Sequence, residues 1–427
     1  MQNDSRTHGL WETTAPPGPP PVALQGPTES EVAIIGAGYT GLSTALHLSE
    51  LGVAASVVES VEVGFGGSGR NAGFVNAGVW VQPDRVSETL GPHYGERLLR
   101  TFGDAPNYVF QLIRKHAIDC DANHNGTLHC AVGRAGLRNL EKRAAQWRSR
   151  GVHVDLLDAP HTAAKVGSTA FSGALFDRRA GTIQPLAYAR GLAWAAVGKG
   201  ARIFTGEPVI AVEKQQAGWV IRTRTGSIRA KWVVVATDAY TTDVWPELRR
   251  QQIHLPYFNF ATPPLDHRLR QLILPAGLAI WDTRSVLSSM RLDRQGRLVL
   301  GSVGALKGRA LRVHRAWAFR TLRRIFPQLG DFTFESEWYG RIGMTENSVP
   351  RFHKLDGNVI AIGGYNGRGI APGTVCGRLL AEYVCGTLSD SDLPLPLTQP
   401  QEPKFRRLRE WIYEVGSEIA HGIDARG

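Results

Sequence analysis

The chain has 427 residues, and 49 Lys plus Arg against 38 Asp plus Glu leave a net charge of +11, carried by 40 Arg and only 9 Lys. A hydrophobic content of 43% and a charged content of 20% exclude a disordered or fibrous chain and leave material for two or three domains. The arginines run from Arg6 to Arg426 with nothing denser than pairs such as Arg323-Arg324 and Arg406-Arg407, which excludes a basic stripe for nucleic acid.

Residues 1–30 are polar and proline-rich, with Pro16, Pro17, Pro19, Pro20 and Pro21 close together, which predicts a tail or an extended arm. No basic patch followed by an apolar run is present there, so no secretory signal is expected. Val32-Ala33-Ile34-Ile35 has the character of a buried parallel strand. Apolar residues at 42, 45, 46, 48 and 51 predict a helix closed by Gly52, and Val53 to Glu59 the next strand, a βαβ opening. Helices are expected over 94–115 and 137–150, around a strand at 126–132. A helix at 185–198 and strands near 201–204, 209–214, 219–224 and 232–236 restore α/β character. Antiparallel strands dominate 250–340, with 297–302 the clearest, around a helix over 311–326. A strand at 359–362, a glycine-rich loop and a helix over 374–384 return to α/β.

The tail carries an amphipathic helix from Phe405 to Ile419 with apolar residues at 405, 408, 411, 412, 415 and 419. That stripe is expected to dock on the same protein or on a second subunit more than on a membrane, with peripheral membrane association through this helix left open as the alternative. No apolar run reaches the roughly 18 residues of a membrane span, and four Cys, too few for a disulfide scaffold, point to the cytoplasm. The pattern predicts an α/β protein. A Rossmann-like dinucleotide domain (31–85, 166–240 and 341–390) is interleaved with an α+β substrate domain on a mostly antiparallel sheet (86–165 and 241–340), and a tail occupies 391–427.

Gly36-Ala37-Gly38-Tyr39-Thr40-Gly41 lies between the first strand and its helix, the context that makes such a loop bind phosphate. Gly36 permits the tight turn, Gly38 lets the backbone approach a pyrophosphate, and Gly41 lets the helix pack close to the strand. The helix N-terminus adds free N–H groups and partial positive charge. Glu59 ends the second strand 18 residues beyond Gly41, with Ser60 beside it, where its carboxylate can accept hydrogen bonds from ribose hydroxyls. That disfavours a 2′-phosphate and leaves FAD or NAD. A second glycine-dense loop follows at once, where an NAD-only domain would continue through βα units. Its Gly67, Ser68, Arg70, Asn71, Ala72 and Gly73 are placed to lie along the pyrophosphate and reach a flavin.

With these segments the chain resembles the FAD-dependent amine oxidases of the D-amino-acid oxidase and sarcosine oxidase superfamily, over about residues 31 to 390. Within it the closest resemblance is to bacterial L-pipecolate oxidases, then γ-glutamylputrescine oxidases. It rests on GGSGRNAGFVNAGVW (66–80), NGTLHCAV (125–132), LFDRRAGTIQP (175–185), WDTRSVLSS (281–289) and GYNGRG (364–369). The resemblance implies that Val209, Ala236 and Thr237 contact the FAD, and that Gly364, Asn366, Gly367, Arg368, Gly369 and Ile370 wrap the flavin ring. It implies oxidation of an amine or amino-acid C–N bond to an imine, by hydride transfer to flavin N5 and reduction of dioxygen to hydrogen peroxide. L-pipecolate or a similar cyclic amino acid is the favoured substrate and γ-glutamylputrescine the rival.

Such chemistry asks the protein for orientation, desolvation and a cation for the substrate carboxylate, ideally a bidentate Arg. Arg284 is the first candidate and Arg341 the second, with Asn76, Tyr257, Trp281 and Tyr365 completing the pocket. Sarcosine oxidases tether their flavin through a Cys, whereas Gly340–Met344 has none, so the FAD is expected to be noncovalent. They also carry a Lys above the flavin, absent from Arg297–Gly301, which leaves a quinone or carrier beside oxygen as the electron acceptor. Cys120, His124, His129 and Cys130 are crowded together, but the spacing fits no zinc site and no metal is expected. A homo-oligomer is left open.

Overall fold

The computed structural model describes residues 8–423, so the first seven residues of the expected arm and the last four of the tail lie outside the described residues. Its architecture is mixed α/β. Val32–Ile35 is the central one of five parallel strands in a seven-stranded sheet, hydrogen-bonded to Ala55–Val58 on one side and Trp232–Val235 on the other. Arg202–Phe204 and Val359–Gly363 extend it in parallel, and Arg351–Asp356 turns antiparallel near one edge. All four residues of Val32–Ile35 are buried because both faces are covered. Alternate side chains go opposite ways. Ile34, Val234 and Ile360 pack beneath the helices Tyr39–Glu50, Pro185–Gly198 and Ile370–Val384. Ala33, Ile35, Val233 and Val235 pack against Ile221 and Ile228 of a four-stranded sheet. The parallel strands therefore end together, and the loops after Ile35, Val58 and Val235 meet at one edge, the usual place for a ligand in such a sheet.

The second layer is an eight-stranded sheet, antiparallel except where Ala279–Asp282 runs parallel to Thr127–Cys130. Its long strands Ile253–Pro264, Arg297–Val303 and Ser336–Met344 pair over most of their lengths. Two strands cross the boundaries expected from sequence. Ala174–Asp177 pairs with Thr127–Cys130 in this sheet rather than joining the dinucleotide segment, and Ser336–Met344 runs straight through position 341. Both were hard to divide because a short apolar strand carries no mark of the sheet it joins.

The amino-terminal arm is not a free tail. Leu10–Thr14 is a short helix whose Trp11 is fully buried, with its ring edge-on to Trp338 at 5.3 Å and its Nε1 donating to the Asn71 carbonyl at 2.9 Å. Gly26–Glu29 then adds a parallel strand to the four-stranded sheet, so order begins well before Glu31. The prolines bridge these anchors as an extended segment. Glu12 pins the arm through His8 at 2.9 Å and Arg190 at 2.6 Å, and these two hydrogen bonds hold its carboxyl down at about 2. A carboxyl depressed by folding stabilises the fold above its ordinary value of 4.5, and that contribution is lost as pH falls through about 2. Because the side chain is half exposed, Glu12→Gln is expected to cost only about 1 kcal/mol at neutral pH. Paired urea unfolding curves at pH 7 and at pH 3 check this, with the difference shrinking at the lower pH.

The carboxy-terminal helix Arg406–Ile423 docks on the body, but not by the face expected. Ser417 and His421 face inward: His421 reaches His314 at 2.8 Å and its ring lies on Trp317 at 4.0 Å. The apolar stripe points outward, leaving Phe405, Leu408, Trp411, Ile412 and Ile419 all about half exposed or more.

Candidate active site

The glycine loop is built by close backbone approach. A Cβ on Gly41 would stand 2.0 Å from the Gly36 carbonyl oxygen, and Gly36 takes φ +105° against the Ala236 carbonyl. Glu59, buried at the end of its strand, accepts hydrogen bonds from Ala37 N at 2.8 Å, Val61 N at 3.1 Å and Ser60 Oγ at 3.0 Å. Burial raises its carboxyl pKa while those three donors oppose the rise. The second glycine loop lies over the first: Ser68 Oγ accepts from Tyr39 N at 3.0 Å, and Asn71 Nδ2 donates to Tyr39 Oη at 3.1 Å. Ala37, Gly41 and Gly73 thus brace the loops from behind. Arg70 is also behind the wall, its guanidinium 4.4 Å from the Phe65 ring and its carbonyl accepting from Trp338 Nε1 and Asn259 Nδ2.

Between these loops and the antiparallel sheet lies one cavity of about 2210 Å³, larger than the roughly 300–1,000 Å³ of a single small-molecule pocket. Gly36, Gly38, Tyr39, Thr40, Glu59 and Ser60 line one end. Gly67, Ser68, Asn71, Ala72, Val209, Ala236 and Thr237 continue the wall. Tyr365, Asn366, Gly367, Arg368, Gly369 and Ile370 form a further stretch of the wall beside the glycine loop, and Asn76, Tyr257, Trp281 and Arg341 also line it. Gly364 supports from below, where its N–H donates to Asp238 Oδ1 at 2.6 Å.

Four buried donors on this wall have no hydrogen-bond partner among the described residues: Tyr257 Oη, Trp281 Nε1, Arg341 Nε and Arg368 Nε. A buried polar group without a partner costs about 1–3 kcal/mol, so such a set marks where a ligand supplies acceptors. Arg341 lies over the Tyr240 ring at 5.0 Å, and Tyr257 crosses Gly340 beside it. Burial raises the Tyr257 pKa well above its ordinary value, which keeps it a donor. Arg368 sits 5.1 Å from the Trp281 ring and 5.7 Å from Trp80, with Nη1 donating to the Ala77 carbonyl at 2.6 Å. Burial first, and Arg143 second, push Arg368 down to about 9, still cationic at neutral pH. His254 is pushed to about 4, by burial and then by Arg341, and is neutral there.

The cavity has the volume for a dinucleotide and a substrate together, and the glycine loop and the four donors both line it. The sequence matches the DAO family, described as FAD dependent oxidoreductase, over residues 31–383. The chain belongs to this family.

This FAD-dependent oxidoreductase is 31% identical over 389 residues to gamma-glutamylputrescine oxidoreductase of Escherichia coli (strain K12), covering 91% of each chain. It is 30% identical over 404 residues to the probable oxidoreductase OrdL of Rhizobium meliloti (strain 1021), covering 94% of each. Its fold matches the crystal structure of glycine oxidase from Geobacillus kaustophilus with a TM-score of 0.70 at 19% identity, over 87% of this chain and 99% of that one. The residues present fit FAD: Glu59, Ser68 and the glycine loop would hold the nucleotide end, and Arg368 and Asn366 the ring end.

Not every expected residue of the flavoenzyme reaches the cavity. Arg284 is absent from the wall; it follows the strand Ala279–Asp282 and its N–H donates to Asp282 Oδ1 at 3.1 Å. The strand alternates its side chains, so Trp281 faces in while Arg284 falls beyond the strand end. Tyr365 is on the wall, but its hydroxyl is 2.8 Å from Thr40 Oγ1, tied to the glycine-loop helix. Asn76 Oδ1 accepts from Thr127 Oγ1 at 2.9 Å. Sequence reasoning missed Trp80, Tyr240 and Asp238. Trp80 closes the GGSGRNAGFVNAGVW segment and Asp238 follows Thr237 directly, so adjacency was the available signal. It also missed the tail helix, whose Glu410, Tyr413 and Glu414 line the cavity.

Proposed function

We propose that this flavoenzyme oxidises the C–N bond of an amino acid, favouring a cyclic secondary one such as L-pipecolate, and yields the imine. Bound FAD supplies the two-electron acceptor for that oxidation. Arg341 holds the substrate carboxylate as a charge-assisted pair and Tyr257 adds a hydrogen bond from its hydroxyl. Trp80 and Trp281, 5.4 Å apart, form an apolar slab that orients the ring and excludes water. The single observation that carries this reading is that Arg341 Nε and the neighbouring Tyr257 hydroxyl stand on the cavity wall as buried donors without a partner among the described residues, which suits a substrate carboxylate. A second reading, a γ-glutamylputrescine-type substrate, is favoured by the relative of that name and by Glu410 and Glu414, which could receive a distant ammonium.

Mixing the holoenzyme anaerobically with cyclic amino acids, N-methyl amino acids and γ-glutamylputrescine separates these readings by which one bleaches the flavin absorbance. No bleaching by any of them would remove the amine-oxidising reading. Admitting air then reads the electron acceptor: peroxide identifies oxygen, and bleaching without peroxide identifies a quinone or carrier.

The reading includes a noncovalent flavin, supported by the position of the four thiols, which are buried or half-buried and not among the residues lining the cavity. Acid precipitation is expected to leave the yellow colour in the supernatant; colour retained in the pellet would overturn this. The four unpaired thiols also fit a cytoplasmic enzyme.

A further inference from the structure

We propose that the outer face of the carboxy-terminal helix is a docking surface for an anionic lipid membrane. The helix Arg406–Ile423 divides cleanly around its axis. At 3.6 residues per turn, Glu410, Glu414, Ser417 and His421 share the inward side. Leu408, Trp411, Ile412, Val415, Ile419 and Ile423 share the side opposite. The inward side is engaged with the body: Glu410 accepts from His254 N at 3.0 Å and pairs with Arg406, the Arg320 guanidinium donates to the His421 carbonyl at 2.9 Å, and Glu414 lines the cavity. The outward side touches little. Trp411 is 60% exposed and Ile423 63%, and Phe405, just before the helix, is 77% exposed. A run of large side chains this exposed on a globular surface marks an interaction site.

Charge decides the occupant. Lys404 stands in the turn just before the helix, Arg407 and Arg409 flank the stripe in its first turn, and Glu418 is the acid nearest the stripe, beside Trp411. Lys404 and Arg407 have no carboxylate partner among the described residues, while Arg409 is 3.7 Å from Glu346. The neighbouring helix Gly308–Ile325, which packs against the carboxy-terminal one through His314 and Trp317, exposes Arg309 and Arg312, also without ion pairs among the described residues. These four cations, Lys404, Arg407, Arg309 and Arg312, outnumber the acids Glu414 and Glu418 near the stripe, and in a chain whose net charge is +11 that excess disfavours a second copy seated here. An anionic lipid surface instead complements both features, receiving the apolar stripe at the level of the acyl boundary and the flanking cations at the headgroups. The membrane is touched and not crossed: no helix among the described residues is long and apolar enough to span one. Because Ile412 also lines the cavity, the docked face borders the rim of the active site.

Flotation of the full-length holoenzyme with phosphatidylcholine vesicles, with and without about 30% phosphatidylglycerol, tests this directly. At least about tenfold stronger partition onto the anionic vesicles is expected, falling as salt is raised. The triple variant L408S/W411S/I419S changes no cavity residue and is expected to keep activity and melting temperature while losing partition about tenfold or more. K404E/R407E should lose the preference for anionic lipid. Failure to float with either vesicle, or equal flotation of the triple variant, would overturn the proposal. So would a dimer in light scattering that the triple variant turns into a monomer, since a second copy would then cover the stripe.

Discussion

Gly41→Ala is expected to yield a protein that purifies colourless. The added Cβ stands 2.0 Å from the Gly36 carbonyl oxygen and 3.2 Å from Ile34 Cγ2, and neither the backbone of a buried loop nor the middle of a five-stranded parallel core can retreat. The helix Tyr39–Glu50 must therefore lift off the sheet, taking with it the Tyr39 N–H that bonds Ser68 and the Thr40 hydroxyl that meets Tyr365. Both glycine loops lose their register together. Overpacking of a tight core costs about 1–3 kcal/mol where side chains can give way, and here the obstacle is backbone, so a weakening of flavin affinity by about a hundredfold or more is expected. Gly52→Ala is the control. Its Cβ meets nothing within 4 Å, and its φ of +76° brings only the strain of a left-handed residue, about 1 kcal/mol. Visible absorption per mole of purified protein separates the two: Gly52→Ala keeps its flavin, and a yellow Gly41→Ala protein would contradict the reading of the loop as its phosphate cradle.

The comparison of these two glycines also shows what was legible in the sequence. The strand, the glycine loop, the helix and Glu59 could be read because each constrains the chain locally: apolar run, φ, packing distance and a carboxylate at a strand end all fall within 28 residues. The antiparallel strand 297–302 was readable for the same reason, and is found at Arg297–Val303. Whatever depends on distant partners was not. Trp11 sits in a polar, proline-rich stretch, and nothing local announces Trp338 or the Asn71 carbonyl as its neighbours. The carboxy-terminal helix had a readable stripe, yet periodicity reports only that a helix has two faces. Which one docks was set by His421 meeting His314 across the fold, and by Glu410 meeting the backbone of His254. The two arginine candidates divide along the same line. Arg284 looked well placed beside Trp281 within one segment, but the strand ends between them. Arg341 is brought to the cavity by pairing Ser336–Met344 with Ile253–Pro264, which puts it opposite Pro256 and next to Tyr257.

That pairing leads to the sharpest test of the substrate anchor. Arg341→Met removes the guanidinium while keeping the length of an unbranched side chain on the Tyr240 ring. If Arg341 holds the carboxylate, the variant leaves the substrate's charge buried without its counter-ion, a loss of about 2–5 kcal/mol. The apparent KM for a carboxylate substrate should then rise at least about thirtyfold. An amine lacking the carboxylate should lose little. Arg341→Lys keeps the charge but not the planar two-pronged donor, and should recover part of the loss. The same change at Arg284, whose backbone N–H is fixed by Asp282 and whose side chain does not line the cavity, should leave KM within about twofold. A structural role for Arg341 would lower the melting temperature and affect both substrate classes alike. An effect confined to the carboxylate class, with melting unchanged, places its guanidinium on the substrate, while a KM that moves at Arg284 and stays fixed at Arg341 would reverse the assignment.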